Sequence, residues 1–364
     1  MPDNGRILVI NPGSTSTKLA VYNYTLSEPT LTLAHERQIA VEPGSIGEAP
    51  PIIDQLPSRT QQVTLFLQEL NITPDLIMAR GAPLRPLEGG IFGVNPDMLA
   101  DIRSGKYANH ASNLGALIGD QIAEIFKVPA FIADPITTDE FEPIARISGV
   151  PEIQRRSRSH ALNIKACVRR ICSDIDQRVE SSRWVVAHLG GGISIAAVKY
   201  GRIIDVNDGL LGMGPFSPER AGALPLEGLL DLAASGELDL AQMKTKLSRE
   251  SGLKAYLGTS DLRTIEKRIL DGDAEADLVL KAMIYQIAKE MAAMAAVLDL
   301  NLSGFILTGG MAHSSLVCQP LIEKFSSLAH VYVEAGENEG QALAEAGLRI
   351  LLNHELPKKY FKDQ

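Results

Sequence analysis

The chain has 364 residues, 45% of them hydrophobic and 22% charged, with 35 basic against 44 acidic side chains. That length exceeds one small core and suits two domains. The formal charge of −9 excludes a general binder of nucleic acid or of anionic membrane, since both demand a positive face.

Cys167, Cys172 and Cys318 are odd in number and show no CxxC spacing. They read as buried thiols of a reducing compartment rather than as a metal site or a disulfide framework. The opening "MPDNGRILVI" lacks the plan of a leader peptide, and no uncharged apolar run has membrane-spanning length. A cytoplasmic protein is expected.

In chain order, "RILVINPGSTSTKLAVYNY" (residues 6–24) is an apolar run, a small polar turn and a second alternating run, which predicts a hairpin. Strands are expected at Thr30–Ile39, Leu76–Ala79 and Ala130–Ala133, with helices at Arg59–Leu70, Pro96–Ser104 and Asn113–Phe126. The Pro/Gly-rich stretch 42–58 reads as an irregular excursion. This alternation predicts a layered α/β sheet.

A helical pattern near Glu152–Ile171 opens the second half, followed by "WVVAHLGGGISIAAVKYGRIIDV" (184–206). Shifted by 177 positions, Asn11 falls on His188, Gly13 on Gly190 and Val21 on Val198. A unit repeated once over half a chain implies two similar domains whose turns face one cleft. Apolar positions Leu280, Ile284, Ile287, Met291, Met294 and Leu298 then mark a long core helix. "GFILTGGMAHSS" brings a strand ending at Gly309-Gly310 and a helix to about Ser327. "HVYVEAG" is the last strand and Glu339–Leu352 the last helix.

"NPGSTSTK" is neither G-x-x-x-x-G-K-[ST] nor G-x-G-x-x-G, and a strand rather than a helix follows it. A hairpin turn can still hold phosphate through unobstructed backbone N–H groups, with Ser14, Thr15, Ser16 and Thr17 adding hydroxyls. "HLGGGIS" and "LTGGMA" offer two further glycine turns of the same kind.

"NPGSTSTK", "HLGGGIS", "GTSDLR", "LTGGMA" and "GENEG", in that order over nearly the whole chain, resemble the acetate and butyrate kinase family. "ARGAPLRPLEGGIF", "YANHASNLGALI", "FIADPITTDEF" and "SHALNIKA" are similar to butyrate kinase stretches in particular. The resemblance implies two duplicated ribonuclease H-like domains of the actin and sugar kinase type around an ATP cleft. The expected division is 1–150 plus 340–364 for the N-terminal domain and 151–339 for the nucleotide-binding domain. It further implies reversible, in-line phosphorylation of butyrate by ATP with Mg²⁺, in a homo-oligomer. A kinase for isobutyrate, propionate or acetate, or an ATP-binding relative without turnover, stays open as the alternative.

Carried residue by residue, the resemblance implies catalytic roles for Arg80, Asp134, His188 and Arg220, with Arg80, His110 and Asn113 at the acid. Ser14, Ser16, Lys18, Gly190, Gly191, Gly192, Asp261, Leu262, Arg263, Gly310 and Met311 are implied at the nucleotide. Asn11 and Glu339 (or its neighbour Glu337) are implied at magnesium, and His160 in a structural role. The sequence departs from the acetate kinase motif "FHGTSH", where Arg156 of "RRSRSH" replaces a histidine. Without sequence context, "SDLR" reads as a helix start capped by Ser260.

Overall fold

The computed structural model describes residues 2–41, 52–108 and 110–361. Most of the expected excursion at 42–58 lies outside the described residues. From Ile52 onward that stretch is already helical, with a proline in the first turn of the helix it leads into, where a missing N–H costs nothing.

The chain divides into two compact units. Met1–Thr138 and Asn338–Gln364 form the first, and Asp139–Glu337 the second. The crossings fall at Thr138 and Glu337 rather than at 150 and 339, so Glu339 belongs to the first unit.

In the first unit, β1 (Asn4–Pro12), β2 (Ser16–Thr25) and β3 (Thr30–Ala40) form an antiparallel meander. After α1 (Leu56–Glu69), β4 (Leu76–Arg80) joins β1 in parallel. β5 (Ile91–Gly93), α2 (Pro96–Ser104) and α3 (Asn113–Phe126) precede β6 (Ala130–Ala133). The sheet order is β3-β2-β1-β4-β6-β5. β1 and β4 are apolar on both sides because both faces are covered. Leu8, Ile10, Ile77 and Ala79 pack with Leu114, Leu117 and Ile118 of α3. The other face carries the C-terminal helix, whose Gly347 touches Ile7, Leu76 and Met78.

The second unit repeats this plan. A short helix α4 (Pro143–Arg146) and α5 (Ala161–Asp174) lead into the antiparallel strands β7 (Arg183–Leu189), β8 (Ile193–Lys199) and β9 (Arg202–Val206). Helices α6 (Leu226–Ala234), α7 (Leu240–Arg249), α8 (Gly252–Leu257), α9 (Leu262–Leu270) and α10 (Ala274–Val297) follow. β10 (Gly304–Gly309), α11 (Ser315–Phe325) and β11 (Val331–Ala335) complete it. The order β11-β10-β7-β8-β9 matches β6-β4-β1-β2-β3 of the first unit, strand for strand. α12 (Glu339–Leu351) then returns to the first unit.

One helix expectation is corrected. Residues 152–160 are irregular and α5 starts only at Ala161. The reason is tertiary: the Arg155 guanidinium is bound by Asp205 and the Ala145 carbonyl, and that of Arg158 by Asp208. Buried and half-buried ion pairs to a strand and the loop beyond it override helical periodicity. The cap of α9 is likewise Asp261, which accepts from Arg263 N, and not Ser260.

Candidate functional site

Three parallel strands of the first unit end side by side, and each carries a polar residue at or next to its end. Asn11 comes from β1, Arg80 from β4, and Asp134 follows the last residue of β6, Ala133, which pairs with Arg80. The C-terminal edge of parallel strands is where α/β sheets bind ligands. Glu339, the first residue of α12, closes the group: Arg80 Nη1 lies 3.0 Å from Glu339 Oε2 and 3.2 Å from Asn11 Oδ1. Asn11 Nδ2 donates to the same Glu339 oxygen at 2.8 Å. One guanidinium, one amide and one carboxylate thus interlock, with Arg80 still partly open to solvent.

Asp134 is 2% exposed and sits at φ 38°, the left-handed region that a side chain disfavours. Its Oδ1 accepts the Gly90 N–H at 2.7 Å, and its own N–H donates to the Gly90 carbonyl at 3.0 Å. The start of α3 lies directly against Arg80, for a Cβ on Gly115 would stand 2.4 Å from the Arg80 carbonyl oxygen. Asn113 opens that helix and anchors it by donating to the Ala108 carbonyl. His110 is exposed. Its Nδ1 accepts from Ser112 N, which in the neutral ring leaves the proton on Nε2.

The 13–17 turn is a true hairpin turn, with Gly13 N donating to Ser16 O at 2.7 Å. Ser14 is exposed at its tip, and Lys18 projects to solvent opposite Asn11. Sequence reading passed over the residue that holds the turn. Arg59 of α1 is 2% exposed and donates to the Gly13 carbonyl, to Thr17 Oγ1 and to Gln55 Oε1. Burial lowers its pKa from the ordinary arginine value.

In the second unit His188 is the penultimate residue of β7 and is 1% exposed. Asn163 of α5 fixes it. Asn163 Nδ2 donates to the Glu337 carbonyl at 2.7 Å, so its Oδ1 must face His188 Nδ1, at 2.8 Å. The imidazole therefore carries a proton on Nδ1, and Nε2 lies under the glycine turn, 3.1 Å from where a Cβ on Gly190 would be. His160 stacks on the ring at 3.8 Å between centroids and is tied to Ser194 Oγ at 2.9 Å.

Arg220 packs behind the same turn. A Cβ on Gly192 would fall 2.0 Å from its Nη1, and the guanidinium donates to the Gly209 carbonyl. Ser217 Oγ donates to Gly191 O at 2.6 Å and accepts from Arg220 N, so the 217–220 segment braces the turn. Desolvation lowers the Arg220 pKa.

Beside the turn lies a cavity of about 640 Å³, within the range of small-molecule pockets. It gathers Gly190, Gly191, Asp261, Leu262, Arg263, Gly310 and Met311, which sequence reading had assigned to the nucleotide. Gly192, which faces Arg220, does not line it, and Ser14, Ser16 and Lys18 belong to the first unit. Glu219, Glu266 and Ser314 line it as well; Ser260 Oγ donates to Glu219 and Ser314 Oγ to Glu266. A positive φ at Gly309 admits the sharp turn after β10, where a Cβ would strike the Leu189 carbonyl oxygen at 2.4 Å.

Among the described residues, no group of three His, Cys, Asp or Glu side chains could hold a metal ion, and no helix is long and apolar enough to cross a membrane. All three cysteines are buried and free.

The family model of the acetokinases matches residues 152–356, more than half of the 364. Among solved structures, the chain is similar to an acetate kinase from Porphyromonas gingivalis, with a TM-score of 0.75 and 19% identity over 95% of this chain and 100% of that one. A propionate kinase from Francisella tularensis gives 0.73 and 20% over 94% and 98%. An acetate kinase from Entamoeba histolytica gives 0.75 and 16%, also over 94% and 98%. At such identities the likeness carries the fold: two duplicated domains of the actin and sugar kinase type.

Proposed function

Because the chain belongs to the acetokinase family, we propose that it transfers the γ-phosphoryl group of ATP to a short aliphatic carboxylic acid, with butyrate as the acid. The observation that carries this reading is the Asn11–Arg80–Glu339 cluster, which holds a cation at a strand end where an anion can be received.

The chemistry asks for little acid–base work. A carboxylate of pKa about 4–5 is already ionised at neutral pH. One of its oxygens attacks the γ-phosphorus in line, the bond from that phosphorus to the bridging oxygen breaks, and ADP leaves with the electron pair. Bringing two anions together is the obstacle, so positioning and cationic donors carry the rate. Arg80 is assigned to the acid carboxylate and the moving phosphoryl group, and Asp134 to orienting groups around them. His110 and Asn113 are assigned to the acid's surroundings. The cavity of the second unit is assigned to the nucleoside, with Asp261, Leu262 and Arg263 on one side and Gly310 and Met311 on the other. Gly191 and Gly192 are assigned to phosphate through their backbone N–H groups, while the Gly190 N–H shapes the turn by donating to the Gly192 carbonyl. Ser14 and Ser16 of the other hairpin are assigned to phosphate through their hydroxyls and Lys18 through its ammonium group. His188 donates to a phosphoryl oxygen from Nε2 only when the ring also holds a second proton, because Asn163 keeps the first on Nδ1. Arg220 supports the glycine turn from behind and reaches the phosphates by charge.

Magnesium is compatible with the donors present. Mg²⁺ prefers oxygen ligands and keeps several waters, so one carboxylate beside the nucleotide phosphates suffices. Glu339 supplies that carboxylate and Asn11 an amide oxygen. When bound, the ion neutralises charge on the phosphates.

Against acetate itself stands the departure from the acetate kinase motif. Arg156 replaces the acetate kinase histidine, is exposed, and makes no ion pair or hydrogen bond among the described residues. It lines a cavity of about 360 Å³ together with Ile153, Leu211 and Met213. A hydroxylamine trap with ATP, Mg²⁺ and straight-chain acids of two to six carbons tests the reading. An acyl hydroxamate peaking at four carbons is expected. A peak elsewhere changes the substrate, and no hydroxamate with any acid overturns the kinase.

A further inference from the structure

We propose that the C-terminal tail, Glu355–Tyr360, is a positioning element for Asp134, acting through Gly90. The inference rests on the catalytic reading of Asp134 given above, and every contact in it lies within the first unit.

The tail adds to the sheet edge. Lys358 N donates to the Ile91 carbonyl at 2.7 Å, and Gly93 N donates to the Lys358 carbonyl at 3.1 Å, so the tail runs beside β5. Two side chains strengthen the pairing where β5 begins. Glu355 Oε1 accepts from Ile91 N at 3.2 Å, and Lys358 Nζ donates to the Gly89 carbonyl at 2.7 Å. The tail is itself pinned at both ends. Arg349 Nε holds the other Glu355 oxygen at 2.9 Å, while the buried Tyr360 donates to Asp101 Oδ2 at 2.7 Å under the Arg85 guanidinium.

Gly90 is therefore gripped from two sides. Its φ of 129° is open to glycine, and a Cβ there would stand 3.1 Å from Lys358 Cε and 3.4 Å from Glu355 Oε1. On its other side it exchanges two hydrogen bonds with Asp134, one of them to the carboxylate. Asp134 cannot hold a left-handed backbone unaided, since such a residue persists only where its surroundings over-determine it. Gly90 supplies that restraint, and the tail keeps Gly90 in place. Because displacement of a catalytic group by about 1 Å can cost about 100-fold in rate, a segment remote in sequence controls the geometry of the acyl site.

The test compares Glu355→Ala/Lys358→Ala with the conservative pair Glu355→Gln/Lys358→Arg, which keeps an acceptor for Ile91 N and a donor for Gly89 O. Turnover is followed by the hydroxamate assay and backbone order by amide exchange over residues 88–93. For the alanine pair, kcat should fall about 10-fold with KM for ATP within about twofold of the parent. Exchange at Gly90 should quicken, and the conservative pair should restore both. Unchanged kcat despite faster exchange overturns the proposal; so do unchanged exchange and a conservative pair as poor as the alanine pair. Asp134→Ala must quicken Gly90 exchange whatever the chemistry, and slow exchange there refutes the clamp. Full activity in Asp134→Asn refutes instead the catalytic reading on which the proposal stands.

Discussion

Asn163 holds His188 by its ring nitrogen Nδ1, 2.8 Å from the amide oxygen, and is itself oriented by the Glu337 carbonyl. A buried histidine in this setting has a fixed tautomer and a fixed face. Asn163→Leu removes both constraints while roughly keeping volume. Loss of kcat by about 10–100-fold is expected, the scale of a catalytic group displaced by about 1 Å. Imidazole nitrogen NMR should show the Nδ1–H signal weakened; an intact Nδ1–H tautomer with normal kcat would show that His188 orients itself without Asn163.

Arg80 is the cation of the strand-end cluster, and Arg80→Ala should lower kcat/KM by about 2–4 kcal/mol of lost charge stabilisation. Among the described residues it also leaves the side chains of Glu339 and Asn11 joined only to each other. Both contacts come from one nitrogen, Nη1, so Arg80→Lys keeps the charge and a donor for those partners but loses the rest of the guanidinium fork for an incoming carboxylate or phosphoryl oxygen, and should recover only part of the loss. Steady-state kinetics on the acid and on ATP decide it, and near-normal activity in the alanine variant would remove Arg80 from the mechanism.

How far the sequence discloses this site follows from the range of the interactions. The expected β1–β2 hairpin, the strands ending at Arg80 and Asp134, and helices α2 and α3 depend on local period and turn chemistry, and the structure has them. The match between Asn11 and His188 at an offset of 177 is also visible from residues alone, and both sheets share one strand order. The misplaced start of α5 has the opposite character. Arg155 and Arg158 find Asp205 and Asp208 some fifty positions away, and no local window contains that pairing. Arg59 and Asn163 were passed over for a related reason. Each acts by a backbone carbonyl or a ring nitrogen of another element, which leaves no motif of its own.

The glycines of "HLGGGIS" are not equivalent. A Cβ on Gly191 meets nothing within 4 Å, whereas one on Gly192 would fall on the Arg220 guanidinium. Gly192→Ala must therefore push Arg220 off the Gly209 carbonyl, and overpacking of this kind costs about 1–3 kcal/mol. Gly191→Ala should leave the thermal midpoint within about 1 °C, while Gly192→Ala should lower it by several degrees. Equal midpoints would mean that Arg220 yields freely.

The free cysteines make a prediction about pH. Burial pushes the Cys318 thiol up to about 11, and raises Cys167 and Cys172 above their ordinary value. The native protein should resist thiol reagents at pH 8, with the unfolded chain reacting at three sites. The sign for stability follows. Below the unfolded value of 9.0 both states are protonated, so the full stability is present. Above it the unfolded thiolate forms first, and stability is lost between about pH 9 and 11. Rapid native labelling of Cys318 at pH 8 would contradict its burial.

Arg59 offers the sharpest separation of stability from catalysis. Its guanidinium fills a buried space between α1 and the 13–17 turn, donating to Gly13 O, Thr17 Oγ1 and Gln55 Oε1. Arg59→Met keeps much of the apolar stem but strands three acceptors away from water. Each such buried loss is worth about 1–3 kcal/mol, so destabilisation of about 3 kcal/mol or more is expected, read as a lower denaturant midpoint with unchanged slope. The turn it releases carries Ser14, Ser16 and Lys18, which are assigned to nucleotide phosphate. KM for ATP should therefore rise at temperatures where the variant is still folded. A destabilised variant with parental KM for ATP would mean that the turn takes no part in holding the nucleotide.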